Sequence, residues 1–568
     1  MQKRVKNVSN LSPAGCGGLI WAVLGHAVPI WAVAGRAVAD LDRAKPRPGG
    51  LTLRLARAKM CGGGRVESAS KPRTDGALMS DMHHFLALDL GAESGRGIVA
   101  TLAGGKVSMK EIHRFPNRPV RLAGTLYWDF PLLLAECLAA MRKCAESGLR
   151  LAGISVDTWG VDFGLLGSDG QLLGNPVGYR DGRTERIHEY SNRFMTTDEV
   201  FAATAYEPWA ISSLFQLLAM QRDKSPLLEA AETFLNMPDL LLYFLTGRKS
   251  SELSIANTSN LLGADCRWAG EVIRRFNLPP KLFKELIEPA TVIGPMTGGV
   301  ADETGLGDVP VIATCGHDTS AAVAAVPAEG ENWAFLSCGT WSILGTMVEA
   351  PVIRGCLQRG FTNEYTIGGW YLARNISGLW LVQQLRKKWD RSNDAWDYAR
   401  MTDEAEKAGQ SEKSALVNVA DGSLLAPPDM ESALVALARK AGGPAPQTRG
   451  ALVRAVLESL ALEYDHRLTA LGELVGRRPQ ALYMVGGGVH NKLLCQLTAD
   501  ACGVPVYAGA DQCTALGNAL GQALALDILK SPGQIRQVMR ESLRLATYEP
   551  KASSMWVQKR KRYQSLPR

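Results

Sequence analysis

Four short segments of the chain place polar side chains and glycines at the ends of apolar runs, the position at which open α/β sheets bind ligands. The first is Asp89-Leu-Gly-Ala-Glu-Ser-Gly-Arg96. Its glycines let backbone N–H groups approach anionic oxygens, Ser94 can donate a hydrogen bond, and Asp89 can hold a hydrated Mg2+ ion. The second, Asp157-Thr-Trp-Gly160, sets a carboxylate and an aromatic ring behind a buried run. An exposed aspartate beside a core tryptophan would read the same way. In the third, Gly316-His-Asp-Thr319, an ionisable pair precedes a helix whose N–H groups would keep Asp318 ionised and able to accept a proton. A capping aspartate carries the same pattern. The fourth joins Ser337-Cys-Gly-Thr-Trp341 to Gly486-Gly-Gly488 and Asn491. Three glycines ahead of a helix let a flat ring lie on the backbone, or simply make a tight turn. No Walker A motif occurs, so a nucleotide site would have a different build. Each signal is weak alone, and the weight lies in their joint occurrence from residue 89 to residue 491.

The elements that must carry these segments are legible from apolar runs and punctuation. Residues 85–90 and 98–102 predict two strands joined by a glycine-rich bend at 91–97, and 107–115 predicts a third. Asp129 is placed to cap a helix over 131–147 that stops at Gly148. A buried strand at 151–156 leads to Asp157, and 161–166 returns through the Ser168-Asp-Gly170 turn. Residues 311–314 predict a strand, 316–319 a turn and 320–326 a small-residue helix. The run 333–345 then echoes the opening hairpin, suggesting a two-fold repeat of one α/β unit. A long amphipathic helix is expected over 450–475, and a strand over 481–485 running into the triple glycine. The expected layout is a leader at 1–82, domains at 83–328 and 329–548 with a cleft between them, and a basic tail at 549–568.

Composition narrows the class of function. With 568 residues, 46% of them hydrophobic and 21% charged, the chain is long enough for two sizeable domains. The net charge of +7 is concentrated in residues 1–82, which hold 13 Lys/Arg and 5 Asp/Glu, leaving 50 against 51 in the body. A near-neutral body lacks the basic surface that nucleic acid requires, so the expected partners are small molecules. The 11 cysteines are scattered without a Cys-x-x-Cys pair, which suits reduced, buried thiols and a cytoplasmic setting. Residues 1–82 carry an apolar run broken by His26, Pro29 and Arg36, an order that mimics a signal peptide but suits a disordered extension or a mis-assigned start before Met79 or Met82. No membrane partner is expected.

Together these motifs resemble the FGGY carbohydrate kinases, and within that family the rhamnulokinase branch. The likeness rests on the four segments and on Glu111-Ile-His-Arg-Phe115, Asp157-Thr-Trp-Gly-Val-Asp-Phe163, Tyr179-Arg-Asp181, Met237-Pro-Asp239, Leu245-Thr-Gly247, Gly378-Leu-Trp380 and Leu516-Gly-Asn518, spanning 84–548. It implies an α/β fold of two actin-like, ribonuclease-H-like domains flanking a cleft for Mg-ATP and sugar. The implied reaction is ATP-dependent phosphorylation of L-rhamnulose at its 1-hydroxyl, with fuculose or xylulose as alternative ketoses and a non-catalytic sugar sensor as the rival class. By resemblance, Ala92, Glu93, Ser94, Gly95, Arg96 and Thr340 are assigned to the phosphates, and Gln383 and Gly487 to the nucleotide. Gly160, His317, Thr319 and Asn375 are assigned to the sugar, Asp318 to base catalysis and Asp89 to the metal. A monomer or homodimer is expected. Two departures stand out: Glu93 replaces a small polar residue, and Gln512 stands where glutamate is common.

Overall fold

The buried apolar run that opens the body forms β1 (His83–Leu90), whose last six residues are all buried. The computed structural model describes residues 82–390, 396–409, 411 and 413–567. The leader reading at 1–82 therefore lies outside the described residues except for Met82, and all described residues belong to one unit of chain, Thr74–Arg568. β1 pairs antiparallel with β2 (Ser94–Ala103), and β2 with β3 (Lys106–Pro116). The bend between β1 and β2 is tighter than the glycine spacing suggests. It spans only 91–93, closed by the Gly91 N–H donating to the Ser94 carbonyl at 2.9 Å. Gly95 and Gly97 instead lie within β2, where a Cβ would overlap the Phe115 ring and the Ala140 side chain respectively. These two glycines serve close packing.

The expected helix is α1 (Phe130–Glu146), with the Asp129 side chain accepting from the Leu132 N–H and Gly148 at φ 70° just beyond its end. β4 (Leu151–Thr158) runs parallel to β1. With β5 (Thr291–Pro295) and β6 (Pro310–Ala313) it completes a six-stranded sheet of order β5-β6-β4-β1-β2-β3. α2 (Asp318–Ala324) begins two residues ahead of the 320 start read from the sequence, so Asp318 is its first helical residue rather than part of the turn.

A second sheet holds β7 (Trp333–Cys338), β8 (Trp341–Val348), β9 (Thr362–Thr366), β10 (Gly369–Ser377), β11 (Ala481–Val485), β12 (Val506–Ala510) and β13 (Ala546–Tyr548) in the order β9-β10-β8-β7-β11-β12-β13. The run β10-β8-β7-β11-β12 repeats β3-β2-β1-β4-β6, with two antiparallel pairings followed by two parallel ones. The helices that matter to the site or its support are α3 (Trp380–Trp389), α4 (Arg449–Val475), α5 (Lys492–Cys502), α6 (Cys513–Ala525) and α7 (Ser554–Gln564).

α4 is buried on nearly every side, against the amphipathic expectation. Its polar face is covered by α7, where Lys559 Nζ donates to Glu458 at 2.5 Å, Arg560 to Asp465 at 2.6 Å and the Tyr563 hydroxyl to Glu463 at 3.0 Å. The basic tail is thus a docked helix whose charges meet the acids of α4. α6 is the other unexpected element. Although it lies between β12 and β13 of the second sheet in sequence, it packs on the first, with Gln522 donating to the Leu86 carbonyl at 3.0 Å. Gly517 lets it lie directly against the Ala321 backbone of α2, since a Cβ there would strike the Ala321 oxygen. Residues from both sheets and both helices, among them Phe85, Ala321, Phe335, Tyr371 and Leu520, share one apolar cluster. Among the described residues all nine cysteines are free and only Cys266 is not buried. No helix among them is long and apolar enough to cross a membrane.

Candidate active site

The site assembles at the carboxyl ends of three neighbouring parallel strands. Parallel register sets Asp89 at the end of β1 opposite Asp157 at the end of β4. The Thr158 N–H donates to the Gly316 carbonyl at 2.8 Å, which draws in the turn after β6 and with it His317 and Asp318. Three aspartates from three of the four sequence segments thereby sense one another. Asp89 is raised above the usual carboxylate range chiefly by burial, opposed by Arg96 and reinforced by Asp318. Asp157, wholly buried, is held well above it by burial and then by Asp89, while the Asn518 amide opposes. Asn518 Nδ2 donates to Asp157 Oδ2 at 2.7 Å, and Asp157 Oδ1 is buried without a hydrogen-bond partner.

Asp318 is the most accessible of the three, with 32% of its side chain exposed. Its Oδ1 accepts from the Thr319 N–H at 2.5 Å and the Thr319 hydroxyl at 3.2 Å, and Oδ2 makes no hydrogen bond among the described residues. One oxygen is therefore steered by the helix start while the other remains available to accept a proton. The turn that carries Asp318 rests on Glu252, a residue that sequence reading passed over. Glu252 accepts from the Gly316 N–H at 2.8 Å and the Ser254 N–H at 2.7 Å, and burial pushes its carboxyl up to about 7 against these hydrogen bonds.

Of the phosphate segment, Ala92 and Glu93 form the turn, Glu93 is exposed, and Ser94, Gly95 and Arg96 open β2. Arg96 forms an ion pair with Asp89 and donates to Gln512 Oε1 at 2.8 Å. Gln512 thus accepts as a neutral amide where a glutamate would add a fourth negative charge to the cluster.

Gly160 stands where a Cβ would crowd Thr258 at 3.0 Å. Beside it Val161 has φ 70°, unusual for a β-branched residue and a store of strain that its surroundings must hold. They do so at both ends: its N–H donates to the Thr258 hydroxyl at 3.0 Å, and its carbonyl accepts from Ser213 at 2.6 Å and Gln216 at 3.1 Å. Asp162 next to it accepts from the indoles of Trp128 at 2.6 Å and Trp159 at 2.9 Å and from Gln216 at 3.0 Å. Trp159 is consequently buried, its ring tilted 42° to that of Trp128 with centroids 4.2 Å apart.

The remaining predicted residues lie in the second half. Thr340, in the exposed turn between β7 and β8, donates to Gln383 of α3 at 3.3 Å. The start of α3 is pinned to that turn by the Leu379 and Trp380 N–H groups donating to the Gly339 and Thr340 carbonyls at 2.9 and 3.0 Å. Gly486 and Gly488 pack on Cys338, which sets the triple glycine beside the same turn, and Gly487 between them faces open space. Asn375 is half-buried on β10, opposite Ile343, on the strand face that also carries Tyr371 and Ala373. Asn491 is a cap, accepting from the Leu494 N–H at 2.9 Å. Leu516-Gly-Asn518 carries Asn518 without a role read from the sequence, whereas Glu252 has no local signal.

Two echoing α/β units, with three aspartates gathered at the strand ends of one and glycine-rich turns at those of the other, give the chain a two-sheet α/β architecture. The N-terminal domain of the FGGY family of carbohydrate kinases matches residues 84–325, and its C-terminal domain matches 334–526. The chain belongs to the FGGY family of carbohydrate kinases. It is 39% identical to a rhamnulokinase of Bacteroides thetaiotaomicron, over 83% of this chain and 97% of that protein. It is 34% identical to a rhamnulokinase of Enterococcus faecalis, over 82% and 94%. Among solved structures it superposes on a xylulose kinase from Lactobacillus acidophilus with a TM-score of 0.72 at 17% identity, covering 85% of this chain and 96% of that one. At that identity the likeness speaks for the two-domain α/β kinase fold alone.

Proposed function

We propose that this chain transfers the γ-phosphoryl group of ATP to the 1-hydroxyl of L-rhamnulose, yielding L-rhamnulose 1-phosphate and ADP, with Asp318 as the base. The observation that carries the reading is the Asp318 carboxylate, part-exposed at the carboxyl ends of three parallel strands with one oxygen uncommitted. The activities named for the relatives from Bacteroides thetaiotaomicron and Enterococcus faecalis select the sugar. Phosphoryl transfer asks the protein chiefly to align two reactants and neutralise charge. Asp318 Oδ2 takes the hydroxyl proton as the oxygen attacks phosphorus and the bond to the ADP oxygen breaks. The 92–96 segment and Thr340 bind the phosphates, Gln383 and Gly487 the rest of the nucleotide, and Gly160, His317, Thr319 and Asn375 orient the sugar. Exclusion of water by the two lobes, 83–328 and 329–548, protects ATP from hydrolysis.

Among the described residues there is no cluster of three His, Cys, Asp or Glu side chains fit to hold a bare metal. Mg2+ needs none, because it keeps most of its waters and takes one or two carboxylates with phosphate oxygens. The buried Asp157 Oδ1 without a hydrogen-bond partner, beside an Asp89 carboxyl raised chiefly by burial, fits such an ion. Asp89 would hold it, and it would neutralise charge on the phosphates. A nucleotide-dependent kinase of this kind belongs in the cytoplasm, as monomer or homodimer.

The test is ADP release with L-rhamnulose against fuculose, xylulose and no sugar. Rhamnulose should be the preferred acceptor by kcat/KM, while sugar-independent ATP turnover or a preference for xylulose would overturn the proposal.

A further inference from the structure

The chemistry above leaves one buried carboxylate beside the site without a task. Glu364 lies on β9, in the second sheet, with only 4% of its side chain exposed. Its Oε2 accepts from the Tyr371 hydroxyl of β10 at 2.6 Å and lies 3.4 Å from His317 Nδ1. On the other side of the same ring, His317 Nε2 lies 3.4 Å from Asp318 Oδ1. Ser320 Oγ completes the surroundings, 3.4 Å from Nδ1 and 3.1 Å from the Tyr371 hydroxyl. A neutral imidazole has a single N–H and would turn a bare lone pair toward one of the two carboxylates. Only the imidazolium presents hydrogen to both.

The electrostatics agree with the geometry. Burial pushes His317 toward its neutral form, but Glu364 and Asp318, with Glu252 adding at longer range, outweigh it and leave the imidazole above its ordinary pKa. The groups that bear on the ring thus come from each element around it: Asp318 from α2, Glu364 from β9, Tyr371 from β10, and Glu252 from the start of the helix Leu253–Asn257.

We infer that Glu364 is a positioning residue: reaching from the second sheet, it holds His317 as an imidazolium beside Asp318, so that a donor and a proton acceptor stand side by side at the sugar site. The inference rests on the kinase reading above and deepens it. Asp318 accepts the proton of the attacking hydroxyl, while His317 donates to an oxygen of the ketose. The sugar side of the site is then completed by a carboxylate from the half that carries the nucleotide turns.

The experiment uses the full chain labelled with 15N-histidine, titrating the His317 ring nitrogens in wild type and in Glu364→Gln, with His317→Asn supplying the assignment. In the wild type His317 should carry both N–H protons at pH 7, and in Glu364→Gln its titration should move to lower pH. The alkaline limb of kcat/KM for the sugar should move with it, giving a loss of about tenfold or more at pH 8, a smaller one at pH 6, and an unchanged KM for ATP. A merely structural role would lower activity without moving the limb, and that result overturns the inference. So does a His317 that titrates identically in the two proteins. Should Glu364→Gln not fold, the wild-type titration still decides, because a His317 bearing one N–H at pH 7 overturns it. Failure of the wild type to phosphorylate any ketose would sink the kinase reading alone, and the ring titration would still judge the pair.

Discussion

The two halves of the molecule repeat one strand order, yet their strand ends differ in charge. In the first half β1, β4 and the start of α2 end in Asp89, Asp157 and Asp318. At the corresponding places the second half has the 338–341 turn after β7, the triple glycine after β11, and Gln512 and Cys513 at the start of α6. The same scaffold thus carries three coupled aspartates on one side and glycine-rich turns on the other, where the exposed Asp511 after β12 faces His490 at 3.2 Å. Burial raises Asp89 and Asp157 and the neighbouring carboxylates add to it, while Arg96 is paired with Asp89 and His317 lies 3.4 Å from Asp318. The glycine turns at 339 and 486–488 carry no such penalty and can approach a polyanion closely. Under the proposed function, that difference gives proton and metal chemistry to the first half and nucleotide grip to the second.

The sharpest test of this contrast is Asp318→Asn. It should lower kcat by about 10³-fold or more while sugar binding stays measurable by calorimetry, because the amide keeps the shape but cannot accept the proton. Near-normal turnover would dissolve the distinction between the halves. Asp89→Asn should cost about 10²-fold in kcat and raise the Mg2+ requirement in steady-state assays, since Arg96 loses its partner and the cation loses the carboxylate that would hold it.

Glu252 offers a test of the support beneath the charged half. Its folded carboxyl is raised from 4.5 to about 7, so its stabilising contribution is full below 4.5 and is lost as pH rises through about 7. Unfolding free energy should fall by about 2–3 kcal/mol over that window, and Glu252→Gln should flatten the slope in urea titrations. Asn518→Ala strips Asp157 of its hydrogen bond and should cost about 1–2 kcal/mol in the same measurement. The smallest effect is expected in the second half: Thr340→Val should raise KM for ATP by about fivefold with kcat and KM for sugar nearly unchanged. A larger effect on sugar than on ATP would place that turn on the wrong side of the contrast.

What the sequence by itself determined is what a few neighbouring residues can settle. The Asp129 cap, the hairpin from β1 to β2, the strand ending at Asp157 and the echo of the first hairpin at 333–345 follow from apolar runs and hydrogen bonds three residues long. Even there, glycines at 95 and 97 pointed to a bend because spacing cannot tell a turn from a strand that must admit Phe115 or Ala140. The triple glycine and Asp318 were visible as types without their surroundings. Only the tertiary structure decided that Asp89 faces Asp157, that Glu252 carries the Gly316 turn, that Glu364 reaches His317, and that α6 returns to the first sheet so that Asn518 meets a residue 361 positions away. Those meetings depend on sheet register and helix packing, in which each side chain's partner is chosen by the burial of all the others, and no local pattern encodes that choice.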